Sequence, residues 1–351
     1  MRSLFHRLKS NARRLSAGVA LCACFEQAAA QQADSRPAPP FDGLTLSGWR
    51  ALGDAVWTVE DGAIRGRVGG GAQSFLVSER TWADFELELE LCNDAPGNSG
   101  VQIRSHVNEQ GRLYGYQIEI DPSARAWSGG LYDEGRRGWL DDLADDEKAR
   151  AAFRGGEWNR YRIVCDGPWI RAWVNGVATA DRLDPLDLDG HFALQVHSGR
   201  DTNMRWRGLA LVERGAHRWV DVAPEGNVEL VAGRGALRIE LAADARGALA
   251  LVEVTPNPAP RAPVHCGAGL VRTSDGWRVD ADAAELRGAA DAPRRELCWI
   301  AWDGRHALFV DGRQVVDWRA EQGWSVPARF TWSGATPARL RRLEREPPRD
   351  R

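Results

Sequence analysis

Phe85-Glu-Leu-Glu-Leu-Glu-Leu91 alternates apolar and acidic residues without a break. A period of two is the mark of a half-buried β-strand, because successive side chains leave a strand on opposite faces. Outward from it the pattern repeats in Tyr116-Gln-Ile-Glu-Ile-Asp121, Tyr161-Arg-Ile-Val164 and Ile170-Arg-Ala-Trp-Val174. Asp61-Gly62 and Asn175-Gly176 punctuate such runs. Both are hairpin signals, since these residue types tolerate positive φ. Asp141–Phe153 is the one stretch that reads as a helix, and it is short. Many short strands with frequent turns predict an all-β, antiparallel sandwich.

The bulk composition narrows the function. Hydrophobic residues make up 43% of the 351, enough to exclude wholesale disorder. The formal net charge is −3 and no basic stripe is visible, which argues against nucleic acid as a partner. Sixteen Trp stand against four Tyr. Indoles serve sandwich cores first, and their flat faces also stack on sugar rings.

The N-terminus reads as a targeting segment. Arg2, His6, Arg7, Lys9, Arg13 and Arg14 form a basic start, an apolar run follows from Leu15 to Phe25, and Ala28-Ala29-Ala30 close it. That order predicts a signal peptide over residues 1–30, a linker over 31–40 and an exported chain, periplasmic or extracellular. The apolar run is too short to span a bilayer, so no transmembrane segment is expected in the mature chain. Lipid anchoring at Cys24 is the lesser alternative. Sequencing the N-terminus of secreted protein is expected to start at Gln31 or within a few residues of it, and an intact Met1 would refute export by this route. Cys92, Cys165, Cys266 and Cys298 remain after cleavage. They are open to disulfide pairing in an oxidising compartment or to burial as free thiols, and no C-x-x-C pair suggests structural zinc.

A weak internal repeat organises the second half. Asp166–Gly176 (DGPWIRAWVNG) is similar to Asp303–Gly312 (DGRHALFVDG), and each precedes a strand ending in Ser-Gly: Phe192–Gly199 and Phe330–Gly334. A large domain at 41–215 and a smaller, β-rich unit at 216–346, in the form of a degenerate second sandwich, are expected. Val254–Pro263 is a Pro-rich loop within the latter.

Alternation also selects a candidate site. Gln102 and Arg104 share a face of Val101–Arg104, Gln117, Glu119 and Asp121 a face of Tyr116–Asp121, and Gln195 and His197 a face of Phe192–His197. Amides, acids, an Arg and a His, without Lys, suit recognition of sugar hydroxyls better than a plain solvated face. Glu119 is the acid/base candidate, His197 a second, and Arg104 the cation for developing negative charge. Tyr132 and Glu134 on the Gly-rich loop Ser128–Arg137 are candidate substrate contacts, with Trp127 and Trp139 as stacking platforms. No cofactor is called for. A divalent cation on Glu119, His197 and Glu134 is compatible, although no close-spaced metal motif is present.

Several segments, in order, carry a family resemblance: Phe41–Trp49 (FDGLTLSGW), Trp57–Gly66 (WTVEDGAIRG), Asn98–Arg104 (NSGVQIR), Gly115–Asp121 (GYQIEID), Gly129–Gly135, Glu157–Asn159, Val174–Gly176 and Ala193–His197. Together they resemble the 3-keto-disaccharide hydrolase (DUF1080) family of the concanavalin A-like lectin/glucanase superfamily, over roughly half the chain. The resemblance implies a jelly roll, export and hydrolase or lyase chemistry on 3-keto-glycosides. In that chemistry a base takes the C2 proton and the C1 substituent leaves. A non-catalytic carbohydrate-binding or cell-surface module is the alternative. A two-carboxylate glycosidase needs a paired-acid strand motif, which the sequence does not offer.

Overall fold

The computed structural model describes residues 40–222 and, beyond them, 228–230, 234–241, 249–254, 264–265, 270–273, 276–279, 295–319, 328–333 and 339–346. The signal-peptide and linker expectations, except for Pro40, lie outside these residues, as do Cys266 and most of the Pro-rich loop.

Two antiparallel sheets form the jelly roll. Its strands are β1 (Trp49–Leu52), β2 (Val56–Glu60), β3 (Ala63–Arg67), β4 (Ser74–Trp82), β5 (Asp84–Asn93), β6 (Ser99–Val107), β7 (Leu113–Ile120), β8 (Leu131–Glu134), β9 (Gly138–Asp141), β10 (Asn159–Asp166), β11 (Trp169–Val174), β12 (Val177–Leu183), β13 (Gly190–Val196) and β14 (Asn203–Asp221). One sheet runs β1-β4-β13-β6-β7-β8-β9. The other begins β12-β11-β10-β5-β14, with β3 attached to β14 and β2 to β3. The core lies between them. In β5, Phe85, Leu87, Leu89 and Leu91 are buried while Glu86, Glu88 and Glu90 are half-buried on the outer side, as the alternation predicts. Burying each such leucine contributes about 1.5–3 kcal/mol. Val101, Ile103, Tyr116, Ile118 and Ile120 of the facing sheet close on them.

The helix is smaller than its sequence reading. Only α1 (Glu147–Arg150) forms, capped by Asp146, whose carboxylate accepts from the Ala149 amide at 2.9 Å. Asp141 instead ends β9, where it accepts from the Asp181 amide.

Beyond β14 lie β15 (Val228–Leu230), β16 (Arg234–Leu241), β17 (Leu249–Val254), β18 (Val264–His265), β19 (Leu270–Thr273), β20 (Gly276–Val279), β21 (Arg295–Trp302), β22 (Arg305–Val310), β23 (Arg313–Arg319), β24 (Ala328–Ser333) and β25 (Arg339–Glu346). The repeat has structural content. The β10-β11-β12 and β21-β22-β23 meanders both turn on residues with positive φ (Asn175-Gly176, Asp303-Gly304, Asp311-Gly312). Both also shift register one residue pair before the turn-proximal Val, between Ala172 and Trp173 and between Leu308 and Phe309. The expected 215/216 boundary falls inside β14. That strand pairs with β5 up to Gly215 and with β25 from Ala216 onward. Across it, Leu183 and Leu188 share one apolar cluster with Ala236, Ile300, Trp302, Phe309 and Leu343.

Cys92, Cys165 and Cys298 are buried free thiols, which settles the open choice for these three. Burial pushes the Cys165 thiol up to about 11. No helix among the described residues is long and apolar enough to cross a membrane.

Candidate functional site

The sheet carrying β6, β7, β8 and β13 builds the site through its register. Gln102 lies opposite Gln117 and Gly100 opposite Glu119, Gln117 lies opposite Tyr132 and Gly115 opposite Glu134, and Ala193 lies opposite Gln102. The polar stripes read from alternation therefore become neighbours on one face. They join end to end. Ser105 Oγ donates to Gln102 Oε1 at 2.9 Å, Gln102 Nε2 to Gln117 Oε1 at 2.5 Å, and Gln117 Nε2 to Glu119 Oε2 at 2.9 Å. The Asn98 amide donates to the other Glu119 oxygen. Each amide accepts at its oxygen and donates at its nitrogen, so the chain has a direction and ends on a group that only accepts when ionised. Gly100 makes room for it, since a Cβ there would stand 2.2 Å from the Gln117 side chain.

Glu119 is 3% exposed. Burial raises its carboxyl to about 7, against the opposing pull of the Asn98 and Gln117 hydrogen bonds. Asp121, two residues on, goes the other way. Burial would raise it, but hydrogen bonds from Ser123 and from Arg125 outweigh this and hold it below the usual carboxylate range. Two neighbouring acids, one in β7 and one just past its end, are thus driven apart, one poised near neutrality and one ionised, the arrangement that separates proton-transfer from electrostatic roles.

An aromatic wall stands beside them. Trp139 meets Trp127 edge-on at 4.8 Å between centroids and Tyr132 at 5.1 Å. The Arg125 guanidinium lies 4.7 Å from the Trp127 ring and 5.0 Å from the Trp139 ring, while its Nε bonds Asp121 at 2.7 Å. Burial, with the nearby Glu134 and Glu119 charges, raises the Tyr132 hydroxyl, so it stays a donor. Arg125 and Asn98 were not among the residues singled out from sequence. Asn98 opens the NSGV segment, which was a usable signal, whereas Arg125 lies in an irregular loop with no periodicity to read.

Arg104 does not belong to this face, which corrects its expected catalytic place. The register of β6 on β7 shifts between Ile103 and His106, and Arg104 takes φ +47. This β-bulge turns its side chain away from the Gln102 side. Fully buried, Arg104 donates to the carbonyls of Ala83 and Gly167 and to Asp84 at 3.0 Å. Asp84 also accepts from the Gly167 amide at 2.9 Å and sits 2.5 Å from His217 Nδ1. Strict alternation has no means of showing the bulge, because Arg104, Ser105 and His106 are all polar.

His197 lies past the end of β13, half-buried, with its ring against the Ser198 carbonyl at 3.0 Å. Glu134 meets Gln195 Nε2 at 3.5 Å. Glu119, His197 and Glu134 therefore do not gather as metal ligands. Among the described residues the acid and imidazole atoms that do gather are those of Asp84, Asp166 and His217. Two guanidiniums already neutralise that group, Arg104 on Asp84 and Arg234 on Asp166 at 2.9 Å. Such a site disfavours a further cation.

The model of the 3-keto-alpha-glucoside-1,2-lyase-like domain matches residues 37–211. Solved structures that resemble the chain include the carbohydrate-binding module CBM66 from Bacillus subtilis (17% identity, 47% of this chain and 94% of that one, TM-score 0.36). A putative glycosyl hydrolase from Parabacteroides distasonis (20% identity, 47% and 98%, TM-score 0.36) and a β-glucanase from Bacillus licheniformis (11% identity, 50% and 97%, TM-score 0.35) are also similar. No curated protein matches the chain.

Proposed function

Since this chain belongs, through residues 37–211, to the carbohydrate-active 3-keto-alpha-glucoside-1,2-lyase-like family, we propose that it is an exported enzyme that cleaves 3-keto-glycosides, with Glu119 as the base. The observation that carries the reading is a buried carboxyl at about 7, reached by a one-way chain of amides and bordered by Tyr132 and the Arg125–Trp wall. A ketone at C3 acidifies the C2 hydrogen. Glu119 takes that proton, and the electron pair moves into the C2–C3 bond while negative charge gathers on the C3 oxygen. The Tyr132 hydroxyl and the Arg125 cation are the groups suited to stabilise that oxygen, the part expected of Arg104. The enolate then re-forms the ketone, the C1–O bond breaks, and the departing oxygen takes the proton held by Glu119. Water adds across C1 and C2 of the resulting unsaturated ketone, so the net products are a 3-keto-sugar and an alcohol.

A module that only binds sugar gains nothing from a buried carboxyl tuned to neutrality, and that favours the enzyme over the binding-module reading. The test is release of 3-keto-glucose from a 3-keto-glucoside as a function of pH. The base must be ionised, so kcat/KM is expected to rise with pH through about 7 and to fall about tenfold per unit on the acid side. Sugar binding without release at any pH would favour the module instead.

A further inference from the structure

The bulge in β6 that carries Arg104 inward also brings Ser105 to the face of Gln102. β6 advances from Ile103 to His106 while β7 advances only from Tyr116 to Tyr114, so β6 takes up one extra residue there. Strict alternation would put Gln102 and Ser105 on opposite faces. With the extra residue they share one, and Ser105 Oγ donates to Gln102 Oε1 at 2.9 Å. Gly115 leaves the room, since a Cβ there would stand 2.8 Å from both Cα and Oγ of Ser105. Ser105 thereby heads the chain that runs through Gln102 and Gln117 to Glu119.

This chain is sealed from solvent. Ser105 and Gln102 are fully buried and Gln117 is 2% exposed, so the protein and not water sets how the amides point. A side-chain amide shows a donor at one end and an acceptor at the other. With its nitrogen towards Glu119, Gln117 favours the ionised carboxylate. Turned over, its oxygen would favour the protonated acid. The nitrogen is held there by the donor at the far end, Gln102 Nε2 on Gln117 Oε1, and Gln102 is held in turn by the Ser105 hydroxyl. The charged and titratable groups that face Glu119 are Asp121 and Arg125 past the end of β7, Tyr132 on β8 and Tyr161 on β10. Asn98 supplies its other hydrogen bond.

We propose that Ser105 and Gln102 are positioning residues, which fix the end of the Gln117 amide that faces Glu119 and so set the proton affinity of that carboxyl. That the proton in question comes from C2 of the substrate rests on the 3-keto-glycoside reading, whereas the orientation of the amides does not.

The test compares Gln102→Met, Ser105→Ala and Arg104→Met with the unmodified full chain. The carboxyl stretch of protonated Glu119, identified as the band that Glu119→Gln lacks, is followed against pH by infrared difference spectroscopy. The acid limb of kcat/KM is measured beside it. Gln102→Met and Ser105→Ala change no charge, so a moved titration reports orientation. Gln102→Met takes the donor from Gln117, and the Glu119 midpoint is expected to rise by about one pH unit. In Ser105→Ala the groups left nearby are the Ile103 and Tyr116 carbonyls, each 3.3 Å from the former Oγ. Both are acceptors, so they do not hold the Gln102 oxygen, and a rise of about half a unit is expected. Below the limb, kcat/KM should fall about tenfold and threefold respectively, while the plateau above it stays within about twofold. Arg104→Met loosens the same bulge from its other side and should leave the midpoint in place. A midpoint unmoved in Gln102→Met and Ser105→Ala, or moved equally by Arg104→Met, overturns the proposal. If Gln102→Met does not fold, the smaller change in Ser105→Ala decides alone. Midpoints that move as expected in a chain that releases no 3-keto-glucose overturn the catalytic reading and leave the positioning role standing.

Discussion

Replacing Glu119 by Gln is expected to lower release of 3-keto-glucose by roughly 10²–10⁴-fold, the usual worth of a general base. Gln keeps the length and planarity of the side chain. One carbonyl oxygen remains to accept from Gln117, and the Asn98 amide can turn so that its oxygen meets the new NH₂ group. What is lost is the proton acceptor. The melting temperature should therefore stay within a few degrees, because the variant removes a buried carboxyl rather than a packing group. The 3-keto-glucoside should still bind. The acid limb near pH 7 should vanish from the residual rate, since the group that causes it is gone. Full turnover in Glu119→Gln would remove the base from Glu119. Collapse of the fold would show that Glu119 holds the amide chain together instead of serving chemistry.

Arg104→Met should do the reverse: a large loss of stability with little change in the turnover of folded protein. Arg104 and Asp84 are 0% and 1% exposed, and the bond between them is 3.0 Å. Removing the guanidinium strands Asp84, leaving it the Gly167 amide and His217, and frees the carbonyls of Ala83 and Gly167. Breaking one side of such a buried pair costs about 3–5 kcal/mol. For a domain of this size that corresponds to a melting temperature lower by roughly 10 °C. Because Asp84 also holds His217 on β14, beyond the stretch that pairs with β5, the loss should loosen the joint between the jelly roll and the strands that follow. Denaturation curves with the rate per folded molecule give both readouts. A variant that melts normally yet loses turnover would return Arg104 to the catalytic face.

Together these variants separate two buried charges that alternation alone had placed on one surface. Across Phe85–Leu91 of β5 and Tyr116–Ile120 of β7 the period of two held, so Leu87, Leu89, Ile118 and Ile120 are core and Glu119 is on the opposite side. In β6 it held only to Ile103. His197 was read as the last residue of a strand that in fact stops at Val196, and past that point the ladder no longer fixes the direction of a side chain.

By itself, the sequence determined the all-β class, the strands of the jelly roll, the face that carries Gln102, Gln117, Glu119 and Gln195, and the family to which residues 37–211 belong. These follow from local chemistry, from periodicity, turn residues and short motifs that act within a few positions. The tertiary structure decided which polar groups meet. The bulge that turns Arg104 inward depends on its pairing with β7 and on Gly190, where a Cβ would stand 2.4 Å from the Arg104 backbone. The carboxyl of Glu119 is raised by being enclosed, and Arg125 reaches Asp121, Trp127 and Trp139 because a loop folds back beside the sheet. Burial and register are sums over strands far apart in the chain, and no single stretch of sequence contains them.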